Sequence, residues 1–155
     1  MNSDMIGVEI GGAIKNVLAI AAGIASGLGF GANTQAAIIT RGLSEMKRLG
    51  KVLGAEEKTF YGLSGLGDLV LTCSDDLSRN RRFGKEIAKN SDIKTVLDIV
   101  GATVEGLNTL NMVLKLSKKY NIELPICEQV SNVVTGKNTP NDAVNSLMSR
   151  EQISE

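Results

Sequence analysis

From Val17 to Ala32 the chain carries sixteen consecutive apolar or small residues, with Ser26 as the single hydroxyl. Such a run must leave water, either by crossing a bilayer or by forming the central helix of a core. It falls short of the roughly 20 residues that a helical span requires, and Gly23, Ser26, Gly27, Gly29 and Gly31 lower its apolar character further. A secretory leader would open on basic residues, whereas Asp4 and Glu9 precede the run and Lys15 lies just before it. The run is therefore read as the inner part of a buried helix, about Val8 to Gly27. Its small residues Gly11, Gly12, Ala13, Ala19, Ala21, Ala22 and Gly23 let other helices come close. That closeness compensates a propensity cost of up to ~1 kcal/mol for each interior glycine. The same face leaves two readings open, core or homodimer surface.

The remaining chain keeps a helical period. Gly29 to Thr34 is a glycine-rich connection in which Asn33 or Thr34 is expected to cap a helix from about Gln35 to Leu53, closed by Gly54. Apolar residues at Ala36, Ile39, Leu43, Met46, Leu49 and Val52 recur at a helical rather than strand-like spacing, and Arg41, Lys47, Arg48 and Lys51 between them are its expected solvated face. Ile93 to Val100 fits either a helix or a strand. Glu105 to Tyr120 is helical, with Lys115, Lys118 and Lys119 near the end where cations are favoured. Pro125 opens a helix that Gly136 closes, and Thr139-Pro140-Asn141-Asp142 approaches a capping box for the last one. No segment alternates as a strand would, so the expectation is a compact, all-α, multi-helix domain over residues 1–155.

Composition removes whole classes of chemistry. Lys plus Arg and Asp plus Glu balance at 17 each, which argues against a nucleic acid or an acidic membrane surface as partner. The chain has no histidine, so His-dependent triads and His-rich metal centres are excluded, and no metal site is expected. A general base must then be Lys, Asp, Glu, Cys or Tyr. Cys73 and Cys127 stand far apart in apolar runs without ligand spacing. They read as buried thiols of a reducing cytoplasm, with one disulfide as the alternative.

Two places resist a packing explanation. Lys15 and Asn16 interrupt the apolar helix, and an ammonium there must be paired, deprotonated, facing a cleft, or reaching solvent from the first turns. Lysine is also a side chain whose pKa falls readily on burial, which suits a general base where histidine is lacking. The second place is Ser64 to Phe83. Asp68 and Thr72, four apart, would share one helical face, and Ser78 would cap a helix with Arg79 and Asn80 in its first turn. Free N–H groups and a guanidinium fork there could hold a phosphate. The plainer reading is a polar loop with arginines lying over it.

The blocks G-V-E-I-G-G-A-I-K-N-V-L-A-I-A-A-G-I, A-A-I-I-T-R-G-L-S-E-M, F-Y-G-L-S-G-L-G-D-L-V-L-T-C and L-S-R-N-R-R-F-G-K occur in this order and spacing. Together they resemble the C-terminal substrate domain of bacterial NAD(P)-dependent glycerol-3-phosphate dehydrogenases, from about Ile6 to about Arg150. The resemblance implies an all-α domain like those of glycerol-3-phosphate and 6-phosphogluconate dehydrogenases. It implies interconversion of dihydroxyacetone phosphate and sn-glycerol 3-phosphate for phospholipid synthesis, with NAD or NADP held mainly by a separate Rossmann domain. By the same resemblance Lys15 is the catalytic lysine, Asn16 its site neighbour, and Asp68 and Thr72 lie beside substrate and lysine. Ser78, Arg79 and Asn80 hold the glycerol phosphate, Arg79 also reaches the cofactor, and Thr103 and Glu105 touch the nucleotide. The family often has Val or Ile where Thr103 stands, so main chain matters more there than the hydroxyl.

The family's G-x-G-x-x-G loop and strand-helix repeats are not in these 155 residues. The expectation is therefore half of an active site, inactive alone, in a cytoplasmic enzyme completed by the Rossmann domain. The alternatives are a stand-alone, non-catalytic helical binding or oligomerisation module, or a related dehydrogenase domain for another phosphorylated or acidic substrate.

Overall fold

The computed structural model describes residues 3–90 and 92–150; residues 1–2 and 151–155, the ends of the expected domain span, lie outside it. All described secondary structure is helical, as the absence of alternation implies. In chain order the helices are α1 (Met5–Gly27), α2 (Ala32–Leu53) and α3 (Glu57–Tyr61), then a π-helical segment (Leu63–Gly67) running into α4 (Asp68–Ser74). They continue as α5 (Arg79–Ile87), α6 (Ile93–Val100), α7 (Glu105–Tyr120), α8 (Pro125–Val134) and α9 (Pro140–Ser149).

The axis of the fold is α1, against which α2, α4, α5 and α7 all pack. It has the length and hydropathy of a membrane span, yet 61% of its most apolar window is buried within the domain, so the run serves as core. The small-residue face from Ala19 to Ala25 is consumed by that packing. Its tightest seam is with α5. A Cβ on Gly23 would lie 2.1 Å from the Arg81 carbonyl oxygen, and one on Gly84 would lie 2.1 Å from that of Ile20. Backbone therefore meets backbone, and the two helices could not sit at this distance with any larger residue at either position.

Several local expectations change. The first helix begins at Met5, because Asp4 caps it by accepting from Gly7 N at 2.9 Å. The other Asp4 oxygen accepts from Glu56 N at 2.8 Å and Thr59 Oγ1 at 2.7 Å, tying the start of α1 to α3. The Gly7 N–H and the Thr59 hydroxyl hold this carboxyl below the usual range. Helix α2 begins at Ala32 behind an extended Gly31 and has no side-chain cap, so Asn33 and Thr34 lie inside the first turn. Gly29, at a left-handed φ of 86°, closes α1 instead, with Gly29 N on the Ser26 carbonyl and Phe30 N on that of Ala25. Ile93–Val100 is a helix, capped by Asp92 and closed by Gly101 at φ 69°.

The basic face of α2 is only partly solvated. Arg41 donates to the carbonyls of Leu147 and, at 3.0 Å, Arg150. Lys47 pairs with Glu57 at 3.0 Å and donates to the Tyr61 hydroxyl at 2.7 Å. Lys51 is exposed as expected.

The same helix carries Glu45, which is only 1% exposed. Its carboxylate caps α8 from across the core, accepting from Ile126 N at 2.6 Å and Cys127 N at 3.3 Å. Burial, offset only in part by those donors, the Cys127 thiol and the Arg48 charge, pushes its pKa up to about 7. Cys73 and Cys127 are buried free thiols, which closes the disulfide alternative. Burial pushes Cys73 up to about 12 and Cys127 well above its ordinary value, so neither offers a thiolate.

Two expected outcomes follow from this packing. Gly84→Ala should destabilise the chain by about 1–3 kcal/mol in urea unfolding, through overpacking of the α1–α5 seam. Gly12→Ala, where a Cβ meets nothing within 4 Å, should be neutral or stabilising by up to ~1 kcal/mol. Equal effects would show that the seam is not the tight contact described. For Glu45, a folded pKa of about 7 against an ordinary 4.5 means that the unfolded chain loses this proton first as pH rises. Stability referred to Glu45→Gln should therefore fall by about 3 kcal/mol between pH 4.5 and 7 and be flat outside that window. A pH-independent difference between the two proteins would contradict it.

Candidate functional site

The α1–α5 seam aligns two polar ends. On α1, Lys15 and Asn16 lie two turns before Gly23; on α5, Arg79 and Asn80 form the first turn, one turn before Gly84. Between them opens a cleft of about 370 Å³ lined by Lys15, Asn16, Thr72, Ser78, Arg79, Asn80, Thr103 and Glu105, with Leu71, Asp75 and Leu77 completing the wall. Asp68 lies beside this cleft, on the wall of a neighbouring open groove of about 880 Å³, and reaches Lys15 from there. The nine residues singled out in the sequence thus converge on one locality.

Lys15 donates to Asp68 Oδ2 in an ion pair whose side chains are 22% and 41% exposed. Of the possibilities open for this ammonium, the structure realises pairing at the edge of a cleft. Asp68 is delivered there by the π-helical segment. Gly65 lies against the Phe60 carbonyl, where a Cβ would be at 2.4 Å, and this close approach brings the segment over α1. Thr72, one turn beyond Asp68, donates its hydroxyl to the Asp68 carbonyl at 2.7 Å. Its proton is spent within the helix, and only its lone pairs remain to receive a donor.

Across the cleft, Ser78 caps α5 as its sequence position suggests, accepting from Arg81 N at 3.2 Å. Arg79 at the first position of the helix is exposed and has no ion-pair or hydrogen-bond partner among the described residues. Asn80 is buried, and its Oδ1 accepts from Gly106 N at 2.8 Å, which fastens the start of α7 to α5. Asn16 Nδ2 donates to Glu105 Oε2 at 3.2 Å and fastens α7 to α1. Gly106 permits both contacts, since a Cβ there would stand 2.8 Å from the Asn16 carbonyl and 2.9 Å from Asn80 Oδ1. Thr103 is exposed on the α6–α7 connection at the rim.

The arrangement offers a lysine with an aligned carboxylate, a free guanidinium at a helix start, and a carboxylate and amide at the rim. It can exchange a proton and hold an anion. Three wall residues were not anticipated. Leu71 and Leu77 are 64% and 84% exposed; Leu77 stands as an apolar residue inside a polar segment, whereas Leu71 lies in an apolar run and gave no such signal. The third, Asp75, accepts from Leu77 N with Oδ1 at 2.8 Å, a short side-chain turn that its position just after α4 could have suggested.

Comparison with known proteins matches this architecture. The profile of the family described as NAD-dependent glycerol-3-phosphate dehydrogenase C-terminus covers residues 4–145. A glycerol-3-phosphate dehydrogenase (NAD(P)+) from Ruthia magnifica subsp. Calyptogena magnifica is 69% identical over 99% of this chain, which covers 48% of that protein. One from Shewanella pealeana is 52% identical over 99% of the chain and 45% of its own length. The crystal structure of glycerol-3-phosphate dehydrogenase from Coxiella burnetii superposes with a TM-score of 0.93 at 48% identity, covering 96% of this chain and 46% of that one. The chain spans about half the length of the curated relatives it matches. With its all-helical fold and a profile match over nearly its whole length, it belongs to the C-terminal domain family of the NAD-dependent glycerol-3-phosphate dehydrogenases.

Proposed function

We propose that this chain is the substrate-binding and proton-transfer half of a cytoplasmic glycerol-3-phosphate dehydrogenase. The enzyme would interconvert dihydroxyacetone phosphate and sn-glycerol 3-phosphate with NAD(P)H, in glycerophospholipid synthesis. A Rossmann domain completes the site. The observation that carries the reading is the cleft itself, with Lys15, held by Asp68 from the neighbouring groove, on one wall and Arg79, without a partner among the described residues, on the other. Proton exchange and phosphate capture are the two tasks such a reaction leaves to the protein.

The rim suits a nucleotide edge. Arg79 is a free cation for its phosphate, and the Glu105 carboxylate and Thr103 main chain are polar partners for its sugar or amide. When bound, the cofactor supplies or accepts the hydride at the substrate's C2. Lys15 acts on the C2 oxygen, donating a proton during reduction and taking one during oxidation, while its positive charge polarises the carbonyl. Asp68 aims the lysine at that oxygen. Arg79 and the free N–H groups of the α5 first turn anchor the phosphate. With Asn80 Oδ1 engaged by Gly106, its amide N–H group is the part left for a substrate oxygen. Leu63, Leu71 and Leu77 are 85%, 64% and 84% exposed around the site, an apolar surface that a covering domain would remove from water and thereby dry the cleft.

The reading is tested in a chimera in which this chain replaces the matching half of the Ruthia magnifica relative. Lys15→Ala should lower kcat about a hundredfold or more, and near-normal turnover would remove the lysine from its role. The parent chimera should prefer dihydroxyacetone phosphate to dihydroxyacetone; equal kcat/KM for both would point to another substrate. The 155-residue chain alone should show no cofactor-dependent reduction of dihydroxyacetone phosphate, and activity there would overturn the need for a second domain.

A further inference from the structure

We infer that Arg81 is a positioning residue for the phosphate grip, setting the path of the Asp75–Ser78 turn and with it the placement of Arg79 and Asn80. The inference rests on the proposed role of the Ser78–Asn80 segment. Arg81 is absent from the cleft wall, and its side chain is only 11% exposed. A guanidinium so deep in a helical core needs its donors satisfied. Nε donates to Asp76 Oδ1 at 2.9 Å, Nη1 to the Cys73 carbonyl at 2.7 Å, and Nη2 to Ser26 Oγ at 3.2 Å. These acceptors belong to the turn, the end of α4 and α1, so one planar group binds three elements to α5. The Cys73 carbonyl is among the last of α4, where a cation is favoured and a donor is otherwise missing.

The turn is fastened at both ends. Lys85 Nζ holds the second Asp76 oxygen at 3.0 Å, and the Arg81 backbone N–H donates to Ser78 Oγ at 3.2 Å. Inside it, Ser78 N donates to the Asp75 carbonyl at 3.1 Å and Leu77 N to Asp75 Oδ1 at 2.8 Å. The four residues between α4 and α5 thus have little freedom, although Asp75, Asp76 and Leu77 are exposed. Fixing the turn fixes where the helix starts, and the helix start is where the phosphate would be met. Lysine could not replace this fork, since an ammonium is a point donor and cannot span Asp76, Cys73 and Ser26.

The test uses the same chimera with Arg81→Lys and Asp76→Asn. The second substitution removes the ion pair from an exposed partner and carries the test if Arg81→Lys fails to fold. The expected result is a rise of about tenfold or more in KM for dihydroxyacetone phosphate with kcat within about threefold. The preference for that substrate over dihydroxyacetone should fall by a similar factor, and adding inorganic phosphate should inhibit the variants less than the parent. Folded variants with KM and substrate preference unchanged, whatever their yield or kcat, would overturn the inference, leaving Arg81 a structural tie. Arg79→Ala separates the two levels. If it lowers the substrate preference while Arg81→Lys and Asp76→Asn do not, only the positioning role falls. Should Arg79→Ala itself leave the preference unchanged, the phosphate grip fails and the inference fails with it.

Discussion

The contact on which the rest depends is backbone on backbone, where α1 and α5 cross at Gly23 and Gly84. Burying Val17–Ala25 supplies the hydrophobic drive for the core, but apolar burial has no direction and would tolerate many helix arrangements. The glycine pair removes that latitude. With no side chain between the helices, their separation is set by main-chain atoms that cannot change rotamer. Lys15 and Arg79 therefore stand on opposite sides of a gap whose width the core maintains. Gly106 extends the same device to α7, bringing Glu105 to Asn16 at the third side of the cleft.

Around this frame the buried polar groups act as joints. Asp4 ties α1 to α3, Glu45 ties α2 to α8, and Arg81 ties α5 to α1 and α4. Each is ionisable, and each satisfies backbone N–H or carbonyl groups at a helix end that would otherwise be left without partners. The helices are short enough that their ends make up much of the chain, which explains why charge is spent on closing them. The Arg48 Nε, buried near Glu45 without a hydrogen-bond partner among the described residues, is the exception in this pattern. Its charge favours the ionised Glu45, so its place there has an electrostatic reason even where its hydrogen bonding is incomplete.

Much of this was legible in the residues. The all-α class followed from uniform 3.6-residue periodicity, and Glu105–Tyr120, the Pro125 and Thr139-Pro140 helix starts and the Ser78 cap stand as their signals suggest. The gathering of Lys15, Asn16, Asp68, Thr72, Ser78–Asn80, Thr103 and Glu105 was expected mainly from a resemblance between motifs, since spacing alone cannot bring α1, α4, α5 and α7 together. What stayed hidden was tertiary. Asp4 read as a flanking charge and Arg41 and Lys47 as solvated, while Glu45 drew no reading at all. Local pattern carries no information about a partner 50 or 80 residues away. The early start of α2 was missed for a local reason, because Asn33 and Thr34 looked like caps whereas the helix begins behind Gly31 with no side-chain cap.

Glu45 gives the chain a thermodynamic property that its surface does not advertise. With no histidine, a protein of this composition would exchange few side-chain protons near neutrality. Yet its buried carboxyl has a pKa of about 7, so folding near pH 6 takes up a proton from the medium. The heat of unfolding must then include the ionisation heat of whichever buffer receives that proton. Calorimetry in two buffers of unlike ionisation enthalpy would register the core carboxyl directly, as a difference in apparent enthalpy at a single pH.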